Sequence, residues 1–387
     1  MICQTTKIIP YMSKPSNKVA LFIAQSLHLD SPYPGGVQIC SREYFEVLES
    51  AGFDLLPIKI GIDRRPLTRL KRKLWYHPYY NFFNEAEFKK SLKEIISKKS
   101  VEFTFINQRQ LAPFSKIIKE VVGSHCRVII LSHGLESVDF FHKMRIESGG
   151  FIKNKIYQRM LGQQLLEESR QNLFIDDVFT LAPFEGEIER WLGMKSVLHV
   201  PRVVKSEPLS WNPREGRVGF VGTLDHPVNL EGLRMVLEQL KISGVAASFR
   251  FRIVGGPENI AGLLEKEFPF VEYAGTLHNP RALEEEVATW HCFVHPLFCY
   301  ARGCSTKLAV ALGWQIPIAT TSMGCRGYVW REGQMPIADS PQLLAKLILS
   351  MLNRANAQKI RDEIRKIALS SPTIEEVAEK IRAFLCI

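Results

Sequence analysis

The sequence lacks any uninterrupted apolar run near the roughly 18 residues needed to span a bilayer. Its longest candidate, Leu308 to Thr320, is broken by Gln315 and Pro317. The opening residues, MICQTTKIIPYMSKPSNK, have neither an apolar h-region nor a small-residue cleavage site, so they read as no secretory signal. None of the eight cysteines (Cys3, Cys40, Cys126, Cys292, Cys299, Cys304, Cys325 and Cys386) forms a CxxC pair. In a chain of this size they read as reduced, mostly buried thiols, which points to a cytoplasmic, reducing compartment. No short internal repeat is present.

Within 387 residues, 46% are hydrophobic and 23% charged, an ordinary globular balance. That excludes long disorder, collagen-like repeats and a small disulfide scaffold, and the length suggests two domains. The formal net charge is +10. An excess of this size suits a polyanion, a phosphorylated substrate or an anionic membrane surface.

Short continuous apolar runs alternate with helical patterns. VALFIA (Val19–Ala24) reads as a strand buried on both faces of a parallel sheet. A helix over Ile39–Ser50 and the strand FDLLPIKI complete one βαβ unit. Further strands are predicted at Val101–Ile106, Cys126–Ser132 and Asp177–Leu181, with helices at Glu85–Ser97 and Phe114–Val122. The pattern pauses over VPRVVKSEPLSWNPR, Val200–Arg214, which reads as a linker. It restarts with RVGFVG, FRFRIVGG, VEYAGTL, HCFVHPL and IPIATT as strands and helices between them. The fold class is therefore α/β, with two Rossmann-like, doubly wound parallel-sheet domains facing a central cleft. Ligands of such sheets bind beyond the carboxyl ends of the strands.

Four loops at those ends hold the candidate residues. Gly35 and Gly36 allow close backbone approach and leave helix-start N–H groups for an anion or a sugar oxygen. This loop is neither GxGxxG nor a P-loop. SHGLE places His133 at a strand end, suited to donating to a substrate oxygen or taking a proton, with Glu136 beside it. After the first strand of the second half, Gly222 and Thr223 offer backbone and hydroxyl, while Asn229 reads as a helix cap. In CYARGCSTK, Gly303, Cys304 and Ser305 open an apolar helix, and Arg302 and Lys307 add two charges near its N-terminus. A diphosphate is the natural ligand of that arrangement.

Two further features compete for attention. His291, Cys292, His295 and Cys299 look like metal ligands, but an extended strand puts Cys292 opposite the two histidines, so no metal site is assigned. Arg64–Ser100 holds eleven Lys or Arg against three Glu, with Trp75, Tyr76, Tyr79, Tyr80, Phe82, Phe83 and Phe88 interleaved. That suits stacking on RNA or docking on anionic lipid, and equally a solvated basic face over an aromatic cluster. No RNA-recognition signature accompanies the charges, so no nucleic acid is expected; Arg64–Lys73 is the candidate contact with an anionic membrane.

Taken in order, these motifs resemble the GT-B glycosyltransferases, most closely the retaining family 4 group. The segments that carry the likeness are SPYPGGVQ, SHGLES, GFVGTLDHPVNLEGL, FRIVGGPE, VEYAGTL and HPLFCYARGCSTKLAVALGWQIPIATTSMGCRGY. Gly303, Lys307 and Pro317 match the family's last block. The family's usual pair of glutamates does not: Val310 stands in the second place, and the first falls near Arg302.

The resemblance implies residues 1–203 as an acceptor-binding domain and 204–387 as a nucleotide-sugar domain, the last helix packing back on the first. It implies transfer of a sugar from a nucleotide-diphosphate donor to a glycan, lipid-linked or other hydroxyl acceptor. Retention of configuration follows from the resemblance alone, and no cofactor or metal is implied. His133 takes the catalytic place. Gly35, Gly36, Gly222, Thr223, Arg302, Gly303, Cys304, Ser305 and Lys307 take the donor, and Glu136 the acceptor. The competing expectation is a degenerate protein that binds a sugar, nucleotide or partner without turnover.

Overall fold

The computed structural model describes residues 18–30, 35–63, 65–68, 70, 83–147 and 149–387. Part of the basic aromatic stretch, including Arg64, Arg69, Lys71, Arg72, Lys73 and the aromatics from Trp75 to Phe82, lies outside the described residues, as does Pro34 of the first glycine loop.

Six parallel strands form the first sheet: β1 (Lys18–Gln25), β2 (Phe53–Ile60), β3 (Phe103–Asn107), β4 (Arg127–Ser132), β5 (Asp177–Thr180) and β6 (Val197–His199). Their order is β2-β1-β3-β4-β5-β6. Along β1, Ala20, Phe22 and Ala24 enter one core while Leu21 and Ile23 enter the other, which is why the run is apolar throughout. Pro57 is tolerated in β2 because that strand is an edge.

Five more parallel strands form the second sheet: β7 (Arg217–Val221), β8 (Arg250–Val254), β9 (Val271–Tyr273), β10 (Phe293–His295) and β11 (Ile318–Thr320). Their order is β11-β10-β7-β8-β9. Two sheets wound on both faces are the architecture the sequence pattern predicts.

Val203 packs in the first core, and Val204 and Trp211 in the second. From there the connecting chain runs along the second half, where Glu207 and Leu209 donate backbone bonds to Gly313 and Trp314. The final helix, Ile374–Leu385, begins with a Thr373–Glu376 capping box and returns to the first half. Its Val377, Ala378, Ile381 and Leu385 fill the core beside helix Gly36–Ser50, and Arg382 donates to the Ser50 carbonyl at 2.9 Å. The last helix therefore fastens the two halves to each other.

Several helices have no counterpart in the sequence reading, among them three in the first half: Glu136–Ile146, Phe151–Gln171 and Pro183–Trp191. The long middle one exposes Phe151 and Ile152 and buries Gln164 and Glu168, which inverts the usual amphipathic pattern. Among the described residues no helix is long and apolar enough to cross a membrane.

Candidate functional site

Both sheets reverse their strand order, at β1/β3 and at β7/β10. Loops from those strand ends enclose a cavity of about 340 Å³, lined from the first half by Gly36, Gln108, His133 and Arg202 and from the second by Thr223, Lys307 and Arg326.

Two helices begin at this cavity without a side-chain cap. The N-cap of Gly36–Ser50 is Gly35, which has none to offer. The N-cap of Thr306–Trp314 is Ser305, whose Oγ instead lies 2.8 Å from Nε2 of His295. Thr306 Oγ1 donates to the Gly36 carbonyl at 3.2 Å and ties the two starts together. First-turn N–H groups left uncapped at two helix starts favour an anion.

Lys307 reaches the cavity past Gly222. A Cβ on Gly222 would sit 2.5 Å from its Cε and 2.8 Å from its Nζ, so a larger residue there would push the end of the Lys307 side chain aside. The Lys307 ammonium lies 5.2 Å from the centre of the Phe220 ring. Burial, aided by the charge of Arg326, lowers its pKa to about 7. Arg326 lies over the Tyr300 ring at 5.5 Å and donates to the carbonyls of Met323 and Arg302, at 2.7 and 3.1 Å. Its Nε is buried with no protein partner. Neither Lys307 nor Arg326 is in an ion pair among the described residues.

Arg302 is placed differently. Its guanidinium pairs with Glu136 through Nη1 and with Asp139 through Nε at 2.8 Å, and its backbone N–H donates to Asp139 at 3.1 Å. Both carboxylates belong to the first half, so these contacts cross the cleft. Glu136 also accepts from Gln110 at 2.7 Å.

Beside this pair the two halves touch through glycines. Gly134 and Gly303 both have positive φ, +107° and +63°. A Cβ on Gly134 would lie 2.4 Å from the Gly303 nitrogen, and one on Gly303 would lie 2.3 Å from the His133 carbonyl oxygen. Only glycine fits both the backbone conformation and the approach. The Gly303 N–H donates to the buried carboxylate of Glu185, whose pKa burial raises to about 8.

His133 sits at the end of β4, its Nε2 2.9 Å from Oδ1 of Asn107 and its ring 5.6 Å from that of Tyr44. Asn107 Nδ2 donates to Ser41 at 2.8 Å, which assigns its Oδ1 as acceptor and Nε2 of His133 as the protonated nitrogen. Burial first, then the charges of His28, Arg202 and Arg302, holds His133 well below the usual histidine pKa. The ring is neutral, and Nδ1 keeps a lone pair.

Similarity to known proteins is structural. No protein-family model matches the sequence, and no curated protein matches it. Sucrose-phosphate synthase from Thermosynechococcus elongatus superposes with a TM-score of 0.68 at 15% identity, over 96% of this chain and 98% of that one. HepE of Anabaena, solved in complex with UDP-glucose, gives 0.61 at 13% identity over 95% and 99%. The lipopolysaccharide outer core galactosyltransferase WaaB, in its apo form, gives 0.59 at 12% over 96% and 100%. The chain has the GT-B fold.

In this GT-B cleft, Gly36, His133, Thr223, Arg302, Cys304, Ser305 and Lys307 line one cavity. Gly35, Gly222 and Gly303 shape its walls through the contacts above. The Cys304 thiol donates to the Arg326 carbonyl at 3.1 Å, and burial pushes its pKa up to about 12. The Thr223 hydroxyl donates to Asp225. Asn229 does not cap its helix: His226 is the N-cap, and Asn229 Nδ2 donates to the Thr223 carbonyl at 2.9 Å.

Sequence reasoning missed Arg326, Arg202, Asp139 and Gln108, which also line the cavity. Arg202 carries the most buried charge of the four and pairs with Glu43 at 2.7 Å. Gln108 has φ +88°, an uncommon angle for a residue with a side chain and the one local signal of a special position. Val310 lines a separate space of about 420 Å³ between helices Gly36–Ser50 and Thr306–Trp314. His295 spends Nδ1 on Thr320 and Nε2 on Ser305, at 3.0 and 2.8 Å.

Proposed function

We propose that the protein is a glycosyltransferase that moves a sugar from a nucleotide-diphosphate donor to a hydroxyl acceptor. The observation that carries this reading is the meeting, in one interdomain GT-B cavity, of two uncapped helix starts with Lys307 and Arg326, neither of which is in an ion pair among the described residues. Solved GT-B neighbours include one in complex with UDP-glucose, which supports a nucleotide-sugar ligand.

In this reading the diphosphate lies against Ser305, Thr306 and Lys307, with Arg326 on its other side. As the bond to the sugar breaks, negative charge grows on the leaving phosphate, and fixed cations and N–H dipoles meet it. These cations do the work a divalent ion does elsewhere, so transfer needs no metal. Gly35 and Gly36 admit the donor's phosphates or sugar close to the backbone, and Thr223 and Gly222 border the same space. His133, neutral and oriented by Asn107, hydrogen-bonds the transferred sugar or the attacking hydroxyl through Nδ1. Glu136 receives the acceptor, a glycan or lipid-linked hydroxyl, when Arg302 is drawn toward the diphosphate. The resemblance to retaining enzymes supports an outcome with retained configuration.

The test is incubation with a panel of nucleotide sugars, with calorimetry for binding and chromatography for released nucleoside diphosphate. Saturable binding of one donor with nucleotide release supports transfer. Binding without release under every acceptor tried supports the degenerate reading. No binding by any nucleotide removes both.

A further inference from the structure

Arg202 is 1% exposed, yet its guanidinium is only partly engaged. Nη2 lies 2.7 Å from Oε2 of Glu43. Nε and Nη1 are buried and have no hydrogen-bond partner among the described residues. The other oxygen of Glu43 accepts from the Val203 N–H at 2.9 Å, so that carboxylate does not serve the rest of the fork. A guanidinium is always charged, and N–H donors left unused in the interior are costly unless something meets them.

The sequence puts this charge where the two halves join. β6 ends at His199, Val200 and Val203 pack in the first core, and Val204 packs in the second. Arg202 lies at that crossing and borders two cavities. One is the space of about 340 Å³ that Lys307 and Arg326 also line. The other is the space of about 420 Å³ between helices Gly36–Ser50 and Thr306–Trp314. The charge of Arg202 acts on the Cys40 thiol, in the second turn of the first of these helices, and on the Cys304 thiol, just before the second. It also acts on His133 at the end of β4. An anion at the two uncapped helix starts is therefore within electrostatic reach of Arg202 from the first half, as it is of Lys307 and Arg326 from the second.

We propose that Arg202 is a further donor-binding residue, which takes oxygens of the nucleotide diphosphate through Nε and Nη1. The inference rests on the transfer reading and deepens it: the leaving group is met by cations of both halves. Glu43 is the competitor. In the free protein its carboxylate offsets part of the guanidinium's charge and fixes its orientation. A diphosphate supplies a second anion to the unused side of the fork, the planar geometry that arginine presents to phosphate.

The experiment is calorimetric titration of the full chain with UDP, GDP and ADP, and separately with glucose 6-phosphate. Wild type is compared with Glu43→Gln and with the double variant Arg202→Gln/Glu43→Gln. Glu43→Gln keeps an acceptor for the Val203 N–H and removes the competing charge. The double variant removes both charges of the pair, so neither is left buried alone. With the nucleoside diphosphate that wild type binds, Glu43→Gln should bind about threefold or more tightly than wild type. The double variant should bind at least about tenfold more weakly than Glu43→Gln. Thermal unfolding confirms that each variant folds. If the double variant does not, the gain in Glu43→Gln still decides, because a purely structural guanidinium predicts no gain. Equal diphosphate affinity in all folded proteins overturns the proposal and leaves the transfer reading to Lys307 and Arg326. Variants that change affinity for glucose 6-phosphate and not for the diphosphate also overturn it, and assign Arg202 to a phosphorylated acceptor. Failure of wild type to bind any of the three diphosphates overturns the transfer reading together with this one.

Discussion

Arg302 and Glu136 form an ion pair across the cleft, one residue from each half of the molecule. Asp139 joins them, so one guanidinium is held by two carboxylates of the opposite half. The cleft is therefore latched by the very residues that resemblance would give to donor and acceptor.

Cutting the latch should loosen the junction of the two halves. Arg302→Ala leaves Glu136 and Asp139 without the cation they share, and should cost about 1–3 kcal/mol, less than a fully buried pair because Arg302 keeps some contact with solvent. Glu136→Gln should cost less, since an amide still accepts from the guanidinium. Urea denaturation of both single variants and the double variant gives the coupling between the two. Additive effects would mean that the pair does not act as a latch.

Lys307 and Arg326 should carry donor affinity. Lys307→Ala and Arg326→Ala are each expected to weaken binding of a nucleoside diphosphate by about 1.5–3 kcal/mol, the range for a hydrogen bond to a charged group. Arg302→Ala should matter less for binding, because its side chain first has to leave Glu136 and Asp139. Calorimetry ranks the three, and a ranking led by Arg302 would reverse this assignment.

Donor binding should depend on pH through Lys307. Its pKa of about 7 in the free protein means that near neutrality part of the population is uncharged. A diphosphate favours the charged form, so binding takes up a proton above that pKa and affinity falls as pH rises from 7 toward 9. Titrations in two buffers of different ionisation enthalpy count the proton. In Lys307→Arg the cation stays charged throughout, and the slope should vanish.

Glu185 makes a parallel prediction for stability. Burial raises its folded pKa to about 8, above the ordinary value of 4.5. The unfolded chain gives up this proton first, so the contribution of Glu185 to stability falls as pH rises from 4.5 through 8. Glu185→Gln still accepts from the Gly303 N–H and no longer titrates. Its unfolding midpoint should match wild type at pH 5 and exceed it at pH 8.5.

What the sequence disclosed follows from burial. Strands covered on both faces must be apolar throughout, and Ala20–Ala24 and Val128–Leu131 stand out for that reason. Strand ends then located His133, Gly222 and the Gly303 turn. Helix Phe151–Gln171 was illegible because Lys155, Arg159 and Gln163 share its outer face with Phe151, Ile152, Ile156 and Leu166, so its apolar residues follow no clear helical period. Arg326 was missed because it lies in an irregular loop with no motif of its own. The latch was beyond reach for another reason: Arg302 and Glu136 are 166 positions apart, and only the fold brings them together.

The central claim is transfer supported by protein cations. Its most direct test is release of nucleoside diphosphate from the donor identified by binding, measured with EDTA present, for wild type and Lys307→Ala. Turnover should persist in EDTA and fall at least about tenfold in the variant, as expected when a charge-assisted contact to the leaving group is lost. Turnover abolished by EDTA and restored by a divalent ion, or left untouched by Lys307→Ala, would contradict the account.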